Sequence, residues 1–169
     1  MTGSMSAVGG DFSLVDHNDR PVRLASFSGG LALIFFGFTH CRKVCPETLS
    51  KISGALEELG ERASEIQPLY ITVDPARDTP EVLKAFLSKQ YPRFTGLTGT
   101  GEKIEEARAR FRVFARRVAD QEDPDGYAVP HSALIYLLDE EGQFLRHFPD
   151  GVSHRDLVDG LRSALGDER

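Results

Sequence analysis

The chain is short of the features that mark several large protein classes. It has only two cysteines in 169 residues, too few for the disulfide framework of a small secreted scaffold. No apolar run approaches the roughly 20 residues that a membrane-spanning helix needs. The first ten residues, Met1 to Gly10, are small and polar, with neither the basic start nor the apolar centre of a secretory signal. A basic surplus is absent too: 20 Lys and Arg face 26 Asp and Glu, a net charge of −6. Passive nucleic-acid binding is excluded, because neutralising phosphates requires a basic face. Repeats, low-complexity tracts and interdomain linkers are lacking. What remains is ordinary for a globular chain, 40% hydrophobic and 27% charged, and long enough to bury a proper core. Residues 1–10 are expected to be a disordered N-terminal segment or an expression-vector remnant, and 11–169 a single domain.

The two cysteines are not scattered. Leu31 to Phe36 is a continuous apolar run, the pattern of a strand buried on both faces. Gly37 to His40 breaks it, and Cys41, Cys45 and Pro46 follow. Proline is tolerated in the first turn of a helix, where its missing N–H costs nothing. Leu49, Ile52, Ala55, Leu56 and Leu59 then recur at helical spacing. The cysteines therefore sit on a strand-to-helix turn, where unpaired N–H groups and the macrodipole favour a thiolate.

Around this centre, Asp11 to Leu24 predicts a hairpin turning at Asp16 to Asp19, with His17 a solvated turn residue. Ile66 to Val73 predicts a second buried strand, followed by a loop in which Thr79 caps a helix opened by Pro80. Tyr91 to Gly101 reads as loop with one short strand. Glu102 to Arg110 predicts a helix supported by Glu105–Arg108 and Glu106–Arg110 pairs. Phe111 to Val118 alternates like a strand, and 119–126 is an acidic loop. Ser132 to Leu138 and Phe144 to Phe148 predict a closing hairpin, and Ser153 caps a last helix. The order is that of an α/β fold: a thioredoxin-like sheet flanked by helices, with an N-terminal β-hairpin.

Two thiols this close can share one ion or form a disulfide, and soft thiolates select copper(I), zinc or cluster iron. Structural zinc wants four protein ligands, whereas copper(I) accepts two thiolates and one histidine. Of the five histidines, His131 is favoured by position, since it ends a polar loop and opens the late apolar strand. His40 adjoins Cys41 but tends to point elsewhere; His147 and His154 read as ordinary surface residues. Asp74, Arg77 and Asp78 lie where an α/β sheet places its active edge, although a turn and a cap explain them equally well. The five arginines of Arg108 to Arg117 read as a solvated face paired to nearby glutamates rather than a docking patch.

These residues resemble the SCO/SenC family of copper proteins over nearly the whole chain. The matching pieces are Phe36 to Thr39 before Cys41-Arg42-Lys43-Val44-Cys45-Pro46, Thr72 to Pro80 (TVDPARDTP), and His131-Ser132 entering Ala133 to Asp139. The resemblance implies a thioredoxin fold with an inserted hairpin before the late strand, and copper, as Cu(I) or Cu(II), held by Cys41, Cys45 and His131. It implies delivery to the dinuclear copper site of cytochrome c oxidase, with that enzyme's copper-binding subunit or another copper or thiol protein as partner. It also implies a periplasmic location, membrane-tethered or soluble, in preference to the mitochondrial intermembrane space. Any membrane contact would run through an N-terminal anchor that this sequence does not contain. Lys43 and Pro130 stand where the family commonly has aspartate, and both changes remove negative charge near a bound cation. The rival function is a thiol–disulfide oxidoreductase with Cys41 and Cys45 as its redox-active pair, one attacking and the other resolving. A peroxidase ranks third.

Overall fold

Seven strands form one mixed sheet around the apolar strand that precedes the cysteines. The structure is a computed structural model and describes residues 11–27, 29–39, 44–116, 118–119, 127–128, 134–149 and 151–166, with only the backbone described at 44–45 and 127–128. In chain order, β1 (Ser13–Asp16) and β2 (Pro21–Arg23) form the N-terminal hairpin, followed by β3 (Leu31–Gly37), α1 (Val44–Leu59) and β4 (Ile66–Thr72). Then come α2 (Pro80–Gln90), β5 (Thr95–Thr98), α3 (Gly101–Phe111), and the short strands β6 (Val118–Ala119) and β7 (Tyr127–Ala128). The chain closes with β8 (Leu134–Leu138), β9 (Phe144–Pro149) and α4 (His154–Ala164). The sheet order is β2-β1-β5-β4-β3-β8-β9, with β6 and β7 paired separately.

β3 is buried along its whole length because both faces are covered. Leu31, Leu33 and Phe35 face one core, shared with Leu49, Ile52 and Leu56 of α1, Leu83 and Leu87 of α2, and Leu157 and Leu161 of α4. Ala32, Ile34 and Phe36 face the other, shared with Ile104, Ala107 and Phe111 of α3. Alternation of side chains along a strand thus turns one apolar run into the floor of two cores. The α1 positions expected at helical spacing, Leu49, Ile52, Ala55, Leu56 and Leu59, are all buried. Expected caps form as well: Thr79 accepts from the Val82 N–H at 3.3 Å and Ser153 from the Asp156 N–H at 3.0 Å. The inserted hairpin is the β6–β7 pair, in register Val118 to Ala128 and Ala119 to Tyr127.

Three local expectations differ from the structure. Phe111 to Val118 is not a strand: Phe111 ends α3, Arg112 closes the helix in the left-handed region at φ 57°, and only Val118–Ala119 pairs. The apparent alternation there is a buried helical Phe111 followed by a cap, with the Val113 N–H returning to the Arg108 carbonyl at 2.9 Å. Neither the Glu105–Arg108 nor the Glu106–Arg110 pair forms. Glu106 meets Lys103 at 3.7 Å, and the Arg108 guanidinium donates to the Val113 carbonyl at 3.3 Å. Finally, His17 is half-buried rather than solvated, and its Nδ1 accepts from the Gly96 N–H at 3.0 Å, tying the hairpin to β5. Gly96 is fixed in turn by close packing, since a Cβ there would lie 2.9 Å from Leu87 Cδ1.

An Nδ1 that accepts must be unprotonated, so this bond belongs to neutral imidazole. Burial pushes the His17 pKa down, against the opposing pull of Asp16, and Lys84 adds to the lowering. The sign follows: the contribution is full above the ordinary histidine value and is lost as pH falls through the lowered one. His17→Ala is therefore expected to cost about 1 kcal/mol at pH 7.5. In chemical denaturation, the gap between parent and variant should close toward pH 5. A gap that stays constant across that range contradicts the assignment.

Candidate functional site

The expected site residues flank one end of the sheet, where β3 and β4 finish side by side and β8 begins. Gly37 pairs with Thr72 across the parallel β3–β4 ladder, and the Val73 N–H donates to the Gly37 carbonyl at 2.8 Å. β8 runs antiparallel to β3, with Phe35 opposite Ile135. The last described residue after β3, Thr39, is two positions before Cys41; the first of β8, Leu134, is three positions after His131. Cys45 is the second residue of α1 and Pro46 the third. Of the expected ligand set, Cys41 and His131 lie outside the described residues, as do His40, Lys43 and Pro130, and Cys45 is described by its backbone alone.

Among the described residues no group of three His, Cys, Asp or Glu side chains is arranged to hold a metal ion. The described histidines are spent elsewhere. His147 is exposed on β9 beside Phe144. His154 meets Glu58 at 2.6 Å, joining α4 to α1, and this contact draws the Glu58 pKa down. His154 is exposed, as expected of an ordinary surface residue, and this contact links the two helices.

The TVDPARDTP stretch is where the structure adds most. Asp78 is fully buried, at 0% exposure. Its Oδ2 accepts from the Thr39 N–H at 3.0 Å and from the Thr72 hydroxyl at 2.7 Å, and its Oδ1 accepts from the Thr39 hydroxyl at 2.6 Å. Thr72 Oγ1 in turn accepts from the Asp74 N–H at 2.9 Å, so its one proton is committed to Asp78. Burial pushes the Asp78 pKa up; the hydrogen bonds from Thr39 and Thr72 pull the other way, and nearby Asp74 adds to the rise. Beside it, Arg77 Nε donates to Asp74 Oδ2 at 2.6 Å, with side-chain exposures of 9% and 2%. The Arg77 guanidinium also sits 6.0 Å from the centre of the Phe38 ring.

A turn and a cap therefore do not explain these residues. Asp74 does close a turn, accepting from the N–H of both Arg77 and Asp78 through its carbonyl. The Asp78 carboxylate, however, grips the chain just after β3, and the Arg77–Asp74 pair packs on Phe38 there. The signal available in the sequence was Thr72, a hydroxyl closing an otherwise apolar strand. Its partner lies six residues on and Thr39 lies 33 residues back, a separation that periodicity does not bridge. Beyond Asp74, a groove of 580 Å³ opens between residues 73–76 and α3, with Glu105, Arg108 and Arg116 on its wall.

Comparison with known proteins adds four findings. A family model described as SCO1/SenC matches residues 1–166. An SCO2-like protein of Rickettsia conorii is 39% identical over 156 residues, covering 92% of this chain and 76% of the relative. Among solved structures, Bradyrhizobium japonicum ScoI with copper bound superposes with a TM-score of 0.84 at 39% identity, over 93% of this chain and 99% of that one. Yeast Sco1 with copper bound gives 0.86 at 34% identity, over 95% and 89%. Scores this high over nearly the whole chain show a shared fold.

Proposed function

The chain belongs to the SCO1/SenC family, and on that premise we propose that it handles copper in cytochrome c oxidase assembly, taking the ion as cargo on Cys41, Cys45 and His131. The observation that carries the reading is the strand pairing at the site edge. Phe35 lies opposite Ile135, so the segments that contain the dithiol and His131 leave the sheet from adjacent strands at one end. The donor chemistry fits: two soft thiolates and an imidazole make a three-coordinate set suited to copper(I). Cys45 is the second residue of α1, and the start of a helix is a place that favours a thiolate. Copper-bound relatives with this fold support the cargo, and Lys43 and Pro130 would tune it by weakening attraction for the cation. His131 is the residue on which carrier and reductase differ.

The same residues support the second reading, a thiol–disulfide oxidoreductase using the redox-active pair Cys41 and Cys45, because exchange needs only the sulfurs. The partner we propose for either role is the copper-binding subunit of the oxidase, met in the bacterial periplasm. Relatives carry both bacterial and mitochondrial labels, and no helix among the described residues is long and apolar enough to cross a membrane. Residues 11–169 are proposed to act as one domain.

The deciding experiment compares His131→Ala with His40→Ala and His147→Ala. His131→Ala is expected to lower copper(I) affinity at least tenfold, about 1.4 kcal/mol, while still reducing a small disulfide at near the parental rate. The two control variants should bind copper like the parent. Normal binding by His131→Ala and loss in His40→Ala would reassign the ligand. Normal binding by all three, with exchange lost only in the cysteine variants, would favour the oxidoreductase.

A further inference from the structure

A buried carboxylate that no cation neutralises is costly. With its pKa raised by burial, Asp78 contributes most to stability below the ordinary aspartate value, and that contribution is lost as pH rises through the raised one. Above that range the carboxylate is kept in the core despite this loss, so its place calls for a reason. Its partners supply one. Three donors converge on it, two of them the N–H and hydroxyl of Thr39, two residues before Cys41. The third, Thr72, ends the neighbouring strand and is itself held by the Asp74 N–H.

We propose that Asp78 is the positioning residue of the dithiol. By clamping Thr39 to the end of β4, it fixes where the chain leaves β3 and keeps the two sulfurs ready for one ion or for each other. The inference rests on the dithiol reading of Cys41 and Cys45. Preorganisation of this kind raises affinity by removing an ordering cost that binding would otherwise carry. The same holds for disulfide formation. The two thiols lose two protons and two electrons as the S–S bond forms, and an oxidised thiol such as glutathione disulfide takes the electrons and is cleaved to two thiols.

The geometry also separates anchoring from charge. In Asp78→Asn, the amide oxygen can stand in for Oδ2 and accept from the Thr39 N–H and the Thr72 hydroxyl. The amide nitrogen can then donate to Thr39 Oγ1, whose hydroxyl turns its proton away. Asp78→Asn therefore keeps the clamp and loses the charge, Asp78→Ala loses both, and Thr39→Val removes one strand of the clamp in a background that is easier to fold. Thr39→Ser restores the hydroxyl.

The test equilibrates parent and variants in reduced and oxidised glutathione, counts free thiols by alkylation and mass, and titrates copper(I) against a chromophoric chelator. Asp78→Ala and Thr39→Val are expected to make the disulfide at least tenfold easier to reduce, about 30 mV for a two-electron couple, and to weaken copper(I) binding at least tenfold. Asp78→Asn and Thr39→Ser should stay within threefold of the parent in both. Variants that melt lower but keep the parental redox equilibrium would show a merely structural role and overturn the proposal. An Asp78→Asn shift as large as that of Asp78→Ala would also overturn it, in favour of charge. A parent that neither forms the disulfide nor binds copper would bring down the dithiol reading itself, and this proposal with it.

Discussion

Oxidation of the two thiols to a Cys41–Cys45 disulfide is expected to take copper(I) uptake at this site from one ion per chain to none. Thiolates are the proposed donors, and a disulfide sulfur is no longer a thiolate, so oxidation removes two of three ligands at once. A lone imidazole does not retain copper(I) against a competing chelator. Cys45→Ser exerts a milder form of the same effect. The hydroxyl is a hard donor that keeps its proton at neutral pH, and affinity should fall on the order of a thousandfold, about 4 kcal/mol. No alternative site is evident among the described residues, which contain no group of three candidate ligands. Titration of fully reduced and fully oxidised protein against a chromophoric copper(I) chelator reads both predictions. Equal uptake by the two forms would end the case for a dithiolate site.

Arg77→Met should be the most destabilising single change at the site edge that leaves the cysteines untouched. The Arg77–Asp74 pair is almost wholly removed from water, at 9% and 2% exposure. Removing the cation takes a charged partner from the Asp74 carboxylate in a place that hydration hardly reaches, a loss of roughly 3 kcal/mol. For a domain of this size that lowers the melting temperature on the order of 10 °C. Methionine keeps the length of the side chain and its contact with Phe38, so the loss reports charge more than volume. Asp74→Leu with Arg77→Met should be less damaging than the sum of the single changes, because the double variant removes both charges of the pair together. Calorimetry on the four proteins checks the cycle. Additive losses, or an Arg77→Met penalty below about 1 kcal/mol, would show that the pair is not coupled as the geometry indicates.

Much of the frame is legible in the residues themselves. The apolar run of β3, the apolar spacing of α1, the Thr79-Pro80 and Ser153 caps and the two hairpins each follow from local chemistry: periodicity, capping and turn residues act over a few positions. The family likeness rests on the same kind of local signal, in CRKVCP and TVDPARDTP. Those stretches also put both cysteines on a strand-to-helix turn before any fold is known.

Tertiary structure decided what depends on distant partners. Whether residues 95–98 are loop or strand is settled by the gap between β1 and β4 that they fill, and Gly96 is there because α2 packs against it. Phe111 to Val118 alternates like a strand, yet Phe111 belongs to the buried face of α3 and Arg112 to its cap. His17 looked solvated until β5 supplied the Gly96 N–H. Asp78 is the clearest case. From its neighbours it is a polar residue before a helix cap, and only the parallel pairing of β3 with β4 brings Thr39 and Thr72 to it. Local propensity is set by residues a few positions apart, whereas the worth of a buried polar group is set by whichever donors the fold delivers to it.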